Sequence, residues 1–399
     1  MPARRSASQL AAFVQGDGLY LYDAQGNRTA DFTSASGQML LGYSHPVVIK
    51  AVQQQAEVLW STPARSIAQA ELDFHTLLES VAPSHLTNFF CVETASKAVE
   101  RAVLLAQRAT LRSRVLVFDG GAHGDTIQTL AMSAVKGGQR AHPGVSSVLI
   151  APYPTSSTED EIAFCLRQLE RMFKTQTAPE NIAAMVIEPM LEQGGGHVTP
   201  PAFFKALEGL CRRWGILLIV NEARSSLRGG EWLMSVGASV QPDMVVLSSG
   251  LANGLPLGVV AAADELGVHL EAHYPASTLA IAAAHAVVQT VKQQRLIPQA
   301  QAMGERLQGG LSDLQSEYGH IVEVRGRGLM LGVAFDAAER KVATLLVEAC
   351  RQRGLWLPLW GSEDEVIGWM PPLTVTEAQI DDALGIFEEA LQTVLLQRR

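Results

Sequence analysis

The sequence predicts an α/β fold built on a mostly parallel sheet, and three observations point there. Short β-branched runs alternate with longer amphipathic segments through the middle of the chain. Polar residues gather at the ends of those runs, and 399 residues suffice for one large domain with a smaller companion. VLVF (Val115 to Phe118), AAMVIEP (Ala183 to Pro189), ILLIV (Ile216 to Val220) and MVVL (Met244 to Leu247) read as buried strands. Ser96 to Ala109, Glu159 to Lys174 and Pro201 to Trp214 read as the helices between them. In such sheets ligands sit beyond the carboxyl ends of the strands, which is where Glu188-Pro189, Asn221-Glu222 and Ser248-Ser249-Gly250 fall.

The flanks differ. Gly16 to Phe32 reads as a hairpin turning at Gly26-Asn27. From about Ala282 a long helix leads into VEVRGRGLMLGVAF, then another helix, a short strand and PPLTVTEAQIDDALGIFEEAL. Thr374 or Thr376 is placed to cap the last helix, with acidic residues in its first turns. No repeat or low-complexity linker separates the flanks from the middle, so they are expected to pack onto it.

Bulk composition excludes several classes. Hydrophobic residues at 47% against charged residues at 18% describe a globular chain rather than a disordered one. A net charge of −9 without a basic block argues against nucleic acid. No apolar run is long enough for a signal peptide core or a membrane span, so a cytoplasmic protein is expected. Cys91, Cys165, Cys211 and Cys350 lack CxxC spacing, so reduced thiols are expected, with neither a disulfide framework nor a metal site.

Five blocks in order carry a family resemblance. They are GDGLYLYDAQGNRTADF with LLGYSHPVVIKAVQQQ (His45 and Pro46 inside), VIEPMLEQGG, PDMVVLSSGLANGLPLGVVAA, VRGRGLMLGVAF and MPPLTVTEAQID. Together they resemble the class III aminotransferases, fold-type I enzymes that use pyridoxal phosphate (PLP). The resemblance covers nearly the whole chain. It implies a large domain around a mainly parallel seven-stranded sheet, spanning about 51–285. A small α+β domain is implied from both chain ends, 1–50 and 286–399. It also implies a homodimer with active sites at the subunit interface.

Residue by residue, the family pattern is altered. The lysine that holds the aldehyde matches Ser249, and no lysine occurs between Lys205 and Lys292. The aspartate that pairs with the pyridinium nitrogen matches Asn221, and Ala223 and Arg224 stand where valine and glutamine are usual. The aromatic residue that stacks on the ring matches Ala122, ahead of His123 and Gly124. The phosphate cup matches Thr94-Ala95-Ser96-Lys97-Ala98, with Ala95 in place of glycine. The partner subunit's phosphate loop matches Ser277 to Ala280, where Thr278 keeps the phosphate contact in a shortened loop.

Read together, these changes lead to the expectation of a site that works without cofactor, PLP or PMP entering only as a non-covalent ligand. His123, Glu188, Arg224 and Ser249 are the candidate catalytic residues: a proton shuttle, an acid or base, an anion clamp and a hydroxyl. Each has a plainer role beside it. Glu188 and Glu222 suit architectural hydrogen bonds, His123 a satisfied loop histidine, and Lys97 a solvent-facing helix position. Arg325 and Arg327 suit domain packing; Trp60, Trp360 and Trp369 suit the core as well as a narrowed pocket. Three functions stay open. The favoured one is a repurposed enzyme running elimination, hydration, cyclisation or acyl transfer on a small anionic intermediate. The others are a non-catalytic homologue supporting an active aminotransferase, as homodimer or heterodimer, and an enzyme holding PLP or PMP non-covalently.

Overall fold

The computed structural model describes residues 11–63, 66–135, 147–266, 276–336 and 340–396. At its centre seven strands lie in the order Leu86–Val92, Gly258–Ala263, Met244–Leu247, Leu217–Asn221, Ile182–Ile187, Arg114–Phe118 and Val148–Ala151. Neighbours are parallel except around Gly258–Ala263, which runs antiparallel to both strands beside it. Every residue of Ile182–Ile187 is buried, because helices cover both faces of this strand.

One face is covered by the helix Ala95–Thr110. Its buried residues Ala98, Val99, Ala102, Val103 and Ala106 recur every three or four positions and meet Val117, Val186 and Val246 of the sheet. Each fully buried valine in that seam contributes roughly 1.5–3 kcal/mol. Phe203, Phe204 and Leu207 of the helix Pro201–Trp214 cover the other face, beside Leu169 of Glu159–Thr175.

The expected N-terminal hairpin is a three-stranded meander, Phe13–Asp17, Tyr20–Asp23 and Arg28–Asp31. The turn at Gly26 is as expected: the Asp23 carboxylate accepts from the amides of Gln25 and Asn27, and Gly26 takes φ +83°. A second reversal at Gly18, φ +53°, was hidden because the first strand is irregular between Phe13 and Gln15. The C-terminal strand Leu355–Trp356 pairs with Arg28–Asp31, so both ends of the chain share one sheet.

The expected long helix after Ala282 is two helices, Thr278–Gln293 and Leu296–Glu317, separated where Arg295 takes φ +55°. Pro298 is the physical reason, since its ring excludes a helical carbonyl four residues earlier. A second antiparallel sheet joins Ile321–Arg327, Met330–Phe335, Val366–Trp369 and Leu359–Trp360. Thr376 is the cap of the last helix, Glu377–Leu396: its hydroxyl accepts from the Gln379 amide, and the Gln379 side chain accepts from the Thr376 amide. Thr374 instead donates to the Leu41 carbonyl. The four cysteines are buried free thiols, and among the described residues no helix is long and apolar enough to cross a membrane.

Candidate active site

A cavity of about 760 Å³ opens beyond the carboxyl ends of the central strands. Thr94 enters it after Leu86–Val92, His123 after Arg114–Phe118, Glu188 after Ile182–Ile187 and Asn221 from the end of Leu217–Asn221. Ser248 and Ser249 follow Met244–Leu247. One sheet edge thus brings together residues spread over more than 150 positions.

Thr94 starts the helix Ala95–Thr110 in extended conformation, and its hydroxyl accepts from the Lys97 amide. The first-turn amides of Ala95 and Ser96 lie at the cavity wall, so the positive end of this helix faces the cavity. Two glycines permit this approach. A Cβ on Gly258 would sit 2.2 Å from the Thr94 carbonyl oxygen, and one on Gly124 would sit 2.3 Å from the Ser96 hydroxyl. The Ser96 hydroxyl donates to the Asp125 carboxylate at 2.9 Å and accepts from the Asp125 amide at 3.2 Å. A carboxylate therefore stands beside the anion cup. Lys97 turns to solvent and pairs with Glu93 at 2.8 Å, the plainer of its two expected roles.

His123 and Asn221 meet at the floor of the cavity. The Asn221 Nδ2 lies 3.2 Å from His123 Nδ1, and Asn221 Oδ1 accepts from the Ala223 amide. With the amide donating, Nδ1 accepts and the imidazole proton sits on Nε2, a buried atom with no hydrogen-bond partner among the described residues. Burial lowers the His123 pKa to about 4, so the ring is neutral at pH 7. Glu188 is pushed the other way, to about 8, chiefly by burial. The Ala122 amide, donating to it at 2.7 Å, opposes that rise without cancelling it. Its neighbour Glu192 pairs with the half-exposed Arg224, Oε2 to Nε 3.3 Å.

Ser249 opens the turn Ser249–Ala252, which ends on Asn253 at φ +46°. Asn253 accepts from the Leu41 amide and donates to the Gly42 carbonyl, so the N-terminal segment fixes this turn. Of the expected site residues, Thr94, Ala95, Ser96, Ala122, His123, Glu188, Asn221, Arg224 and Ser249 all line the cavity. Thr278 does not: it sits in the first turn of Thr278–Gln293 and its hydroxyl donates to the Leu59 carbonyl. Glu222 is architectural, accepting from the amides of Met234 and Ser235 and from the Ser235 hydroxyl. Trp360 and Trp369 are core residues and Trp60 is exposed, so none narrows the cavity. Arg325 donates to the Gly195 carbonyl and Arg327 pairs with Glu231, both packing roles. Sequence reasoning missed Ser36, Gly37 and Gln38, which also line the cavity. Ser34, Ala35 and Ser36 all take positive φ, a strained run that the lone Gly37 did not announce.

The family model of aminotransferase class-III matches residues 1–391. The chain belongs to aminotransferase class III. It is 31% identical to a 5-aminovalerate aminotransferase of Pseudomonas aeruginosa over 92% of this chain and 90% of that one. It is also 31% identical to a 4-aminobutyrate aminotransferase of Escherichia coli, covering 93% and 92% of the two chains. An amine transaminase from an uncultivated Pseudomonas species, solved in its PLP-bound (internal aldimine) form, superposes with a TM-score of 0.90 at 24% identity, covering 99% and 98%. An (S)-enantioselective omega-transaminase from Thermomicrobium roseum gives 0.88 at 25% identity, covering 98% and 95%. The fold-type I architecture expected from the sequence is therefore the observed one.

The expected cofactor-free site is overturned by these matches. Class III membership spans the chain, and a transaminase of the same fold holds PLP, so the cofactor expectation becomes PLP. The cavity fits that group in part. Its size, the helix end at Ala95 and Ser96, and the unpartnered Nε2 of His123 suit a phosphorylated, hydrogen-bonding ring. Asp125 opposes the phosphate, and among the described residues no lysine lines the cavity.

Proposed function

We propose that this class III chain binds PLP in the cavity and transfers an amino group between small carboxylate-bearing amino and keto compounds. The helix end opening on a cavity at the carboxyl ends of the central strands is the observation that supports this most directly. Ala95 and Ser96 amides with the Thr94 hydroxyl would hold the phosphate, joined by the Ser96 hydroxyl once it turns from Asp125. Ser249 stands, on this reading, where the family carries its lysine; it can hydrogen-bond a carbonyl but forms no carbon–nitrogen bond.

When bound, PLP supplies an electrophilic carbonyl and an electron sink. The protein's own residues do the rest. Arg224 offers a guanidinium to a substrate carboxylate once it leaves Glu192. Glu188, whose pKa burial raises to about 8, would offer a hydrogen-bond donor to a bound group while its other oxygen accepts from the Ala122 amide. Asn221 orients His123 but supplies no charge for a pyridine nitrogen, so the electron sink is blunted and turnover is slow. Two of the relatives are a 5-aminovalerate and a 4-aminobutyrate aminotransferase, so ω-amino acids are the first substrates to offer.

The test is a single-turnover reaction. PLP-loaded protein mixed with 4-aminobutyrate or 5-aminovalerate should convert its PLP to PMP, followed by absorbance and chromatography, faster than free PLP does. A rate equal to free PLP, with PLP shown to be bound, would contradict amino transfer. Loss of the enhancement in Arg224→Ala, at unchanged PLP affinity, would support the carboxylate role.

A further inference from the structure

We propose that Glu71, His75 and Cys91 form a binding site for one divalent transition-metal ion, zinc being the best chemical match, beneath the edge of the central sheet. Glu71 and His75 are four residues apart on the helix Gln69–Glu79, so they share one helix face. Cys91 comes from the edge strand Leu86–Val92, and its side chain lies in the same apolar cluster as Phe74 and Leu78 of that helix. One donor atom from each residue falls within 4.8 Å of the others. His75 Nε2 is 3.8 Å from Glu71 Oε1 and 3.8 Å from Cys91 Sγ. Bonds of 2.0–2.3 Å to zinc give a tetrahedron with edges of roughly 3.5 Å, so small side-chain adjustments close the site.

The donor set and the burial agree. Sulfur, imidazole nitrogen and carboxylate oxygen are the zinc ligands, whereas magnesium and calcium favour oxygen alone. Glu71 is 0% and Cys91 2% exposed. A doubly charged cation would balance the carboxylate and the thiolate in this buried place. Three protein ligands leave a fourth position for water, on the side where the His75 side chain is 20% exposed.

None of the three residues lines the cavity, and the site would bind its ion whether or not PLP binds. Cys91 lies three residues before Thr94 on the same strand and turn, so the ion would tie Gln69–Glu79 to the strand that sets the phosphate cup. The sequence expectation of no metal rested on the missing CxxC spacing. Ligands shared between a helix and a distant strand leave no such signature.

The full chain, reduced and freed of metal by a chelator, is dialysed against Zn²⁺ or Co²⁺ and its metal content and Co²⁺ absorption are measured. The expected result is one ion per chain with cobalt–thiolate charge-transfer bands. Both should be lost in Cys91→Ser and binding weakened at least about ten-fold in His75→Gln, while Cys165→Ser binds normally. Folded wild-type protein that takes up no stoichiometric ion would overturn the proposal, and so would cobalt binding without a thiolate band. Should Cys91→Ser fail to fold, the wild-type cobalt spectrum and His75→Gln still decide.

Discussion

The Nδ2 of Asn221 lies 3.2 Å from Nδ1 of His123, both buried at the floor of the cavity. With the amide donating, the imidazole proton sits on Nε2, while burial keeps the ring neutral. Asn221→Asp would place a carboxylate there, which favours the imidazolium and supplies charge to a pyridine nitrogen. The His123 pKa should rise from about 4 by roughly 1–3 units. A two-dimensional NMR titration of the imidazole reads this directly; an unmoved pKa would show that the two side chains are not coupled.

Much of the fold was legible because strand Ile182–Ile187 and helix Ala95–Thr110 carry strong periodic patterns. Nearly all expected site residues also converge, since strand ends in a parallel sheet meet at one edge. What escaped the sequence depends on three-dimensional partners. The strained Ser34–Ser36 run is held by Asp31, whose carboxylate accepts from the amides of Thr33 and Ala35 and from the Tyr43 hydroxyl. Thr278, expected to reach the partner subunit's phosphate, donates its hydroxyl to the Leu59 carbonyl within this chain. The cofactor expectation failed for another reason: it weighed side-chain losses and underweighted backbone amides at Ala95 and Ser96, which remain when alanine stands in place of glycine.

Asp125 hydrogen-bonds Ser96 inside the anion cup, where it repels a phosphate dianion. Asp125→Asn keeps the hydrogen bond and removes the charge. PLP and inorganic phosphate should bind about 3- to 30-fold more tightly, the range of about 0.7–2 kcal/mol for a partly buried charge near a helix end. Equilibrium titration at two ionic strengths checks it, the gain shrinking in high salt.

Glu188 has a folded-state pKa near 8, above the ordinary 4.5. A carboxyl whose pKa is raised by folding lends its stability below the unfolded value and loses it as pH rises through the folded value. Thermal stability should therefore fall between pH 4.5 and 8, and Glu188→Gln should flatten that fall while keeping an acceptor for the Ala122 amide. Melting curves across this range give the comparison, and a parallel fall in both proteins would assign the slope elsewhere.

Gly258 brings its strand against the Thr94 carbonyl, 2.2 Å from where a Cβ would be. Gly258→Ala should cost about 1–3 kcal/mol of stability and weaken PLP binding more than a distant substitution of equal cost. Denaturant unfolding and PLP titration on the same variant separate the two effects.

Ser249→Lys should allow borohydride to fix PLP covalently at residue 249. Turnover should then rise about 10- to 100-fold further when Asn221→Asp is added, the scale of one charge-assisted hydrogen bond. Full recovery from the lysine alone would mean that Asn221 does not limit the electron sink.

In the proposed function the cavity holds PLP on the helix end at Ala95 and Ser96. Isothermal titration of the purified chain with PLP, with and without inorganic phosphate as competitor, tests it most directly. One saturable site per chain, weakened by phosphate and by Ser96→Ala, is the expected result. Absence of saturable binding, or binding indifferent to phosphate, would contradict the account.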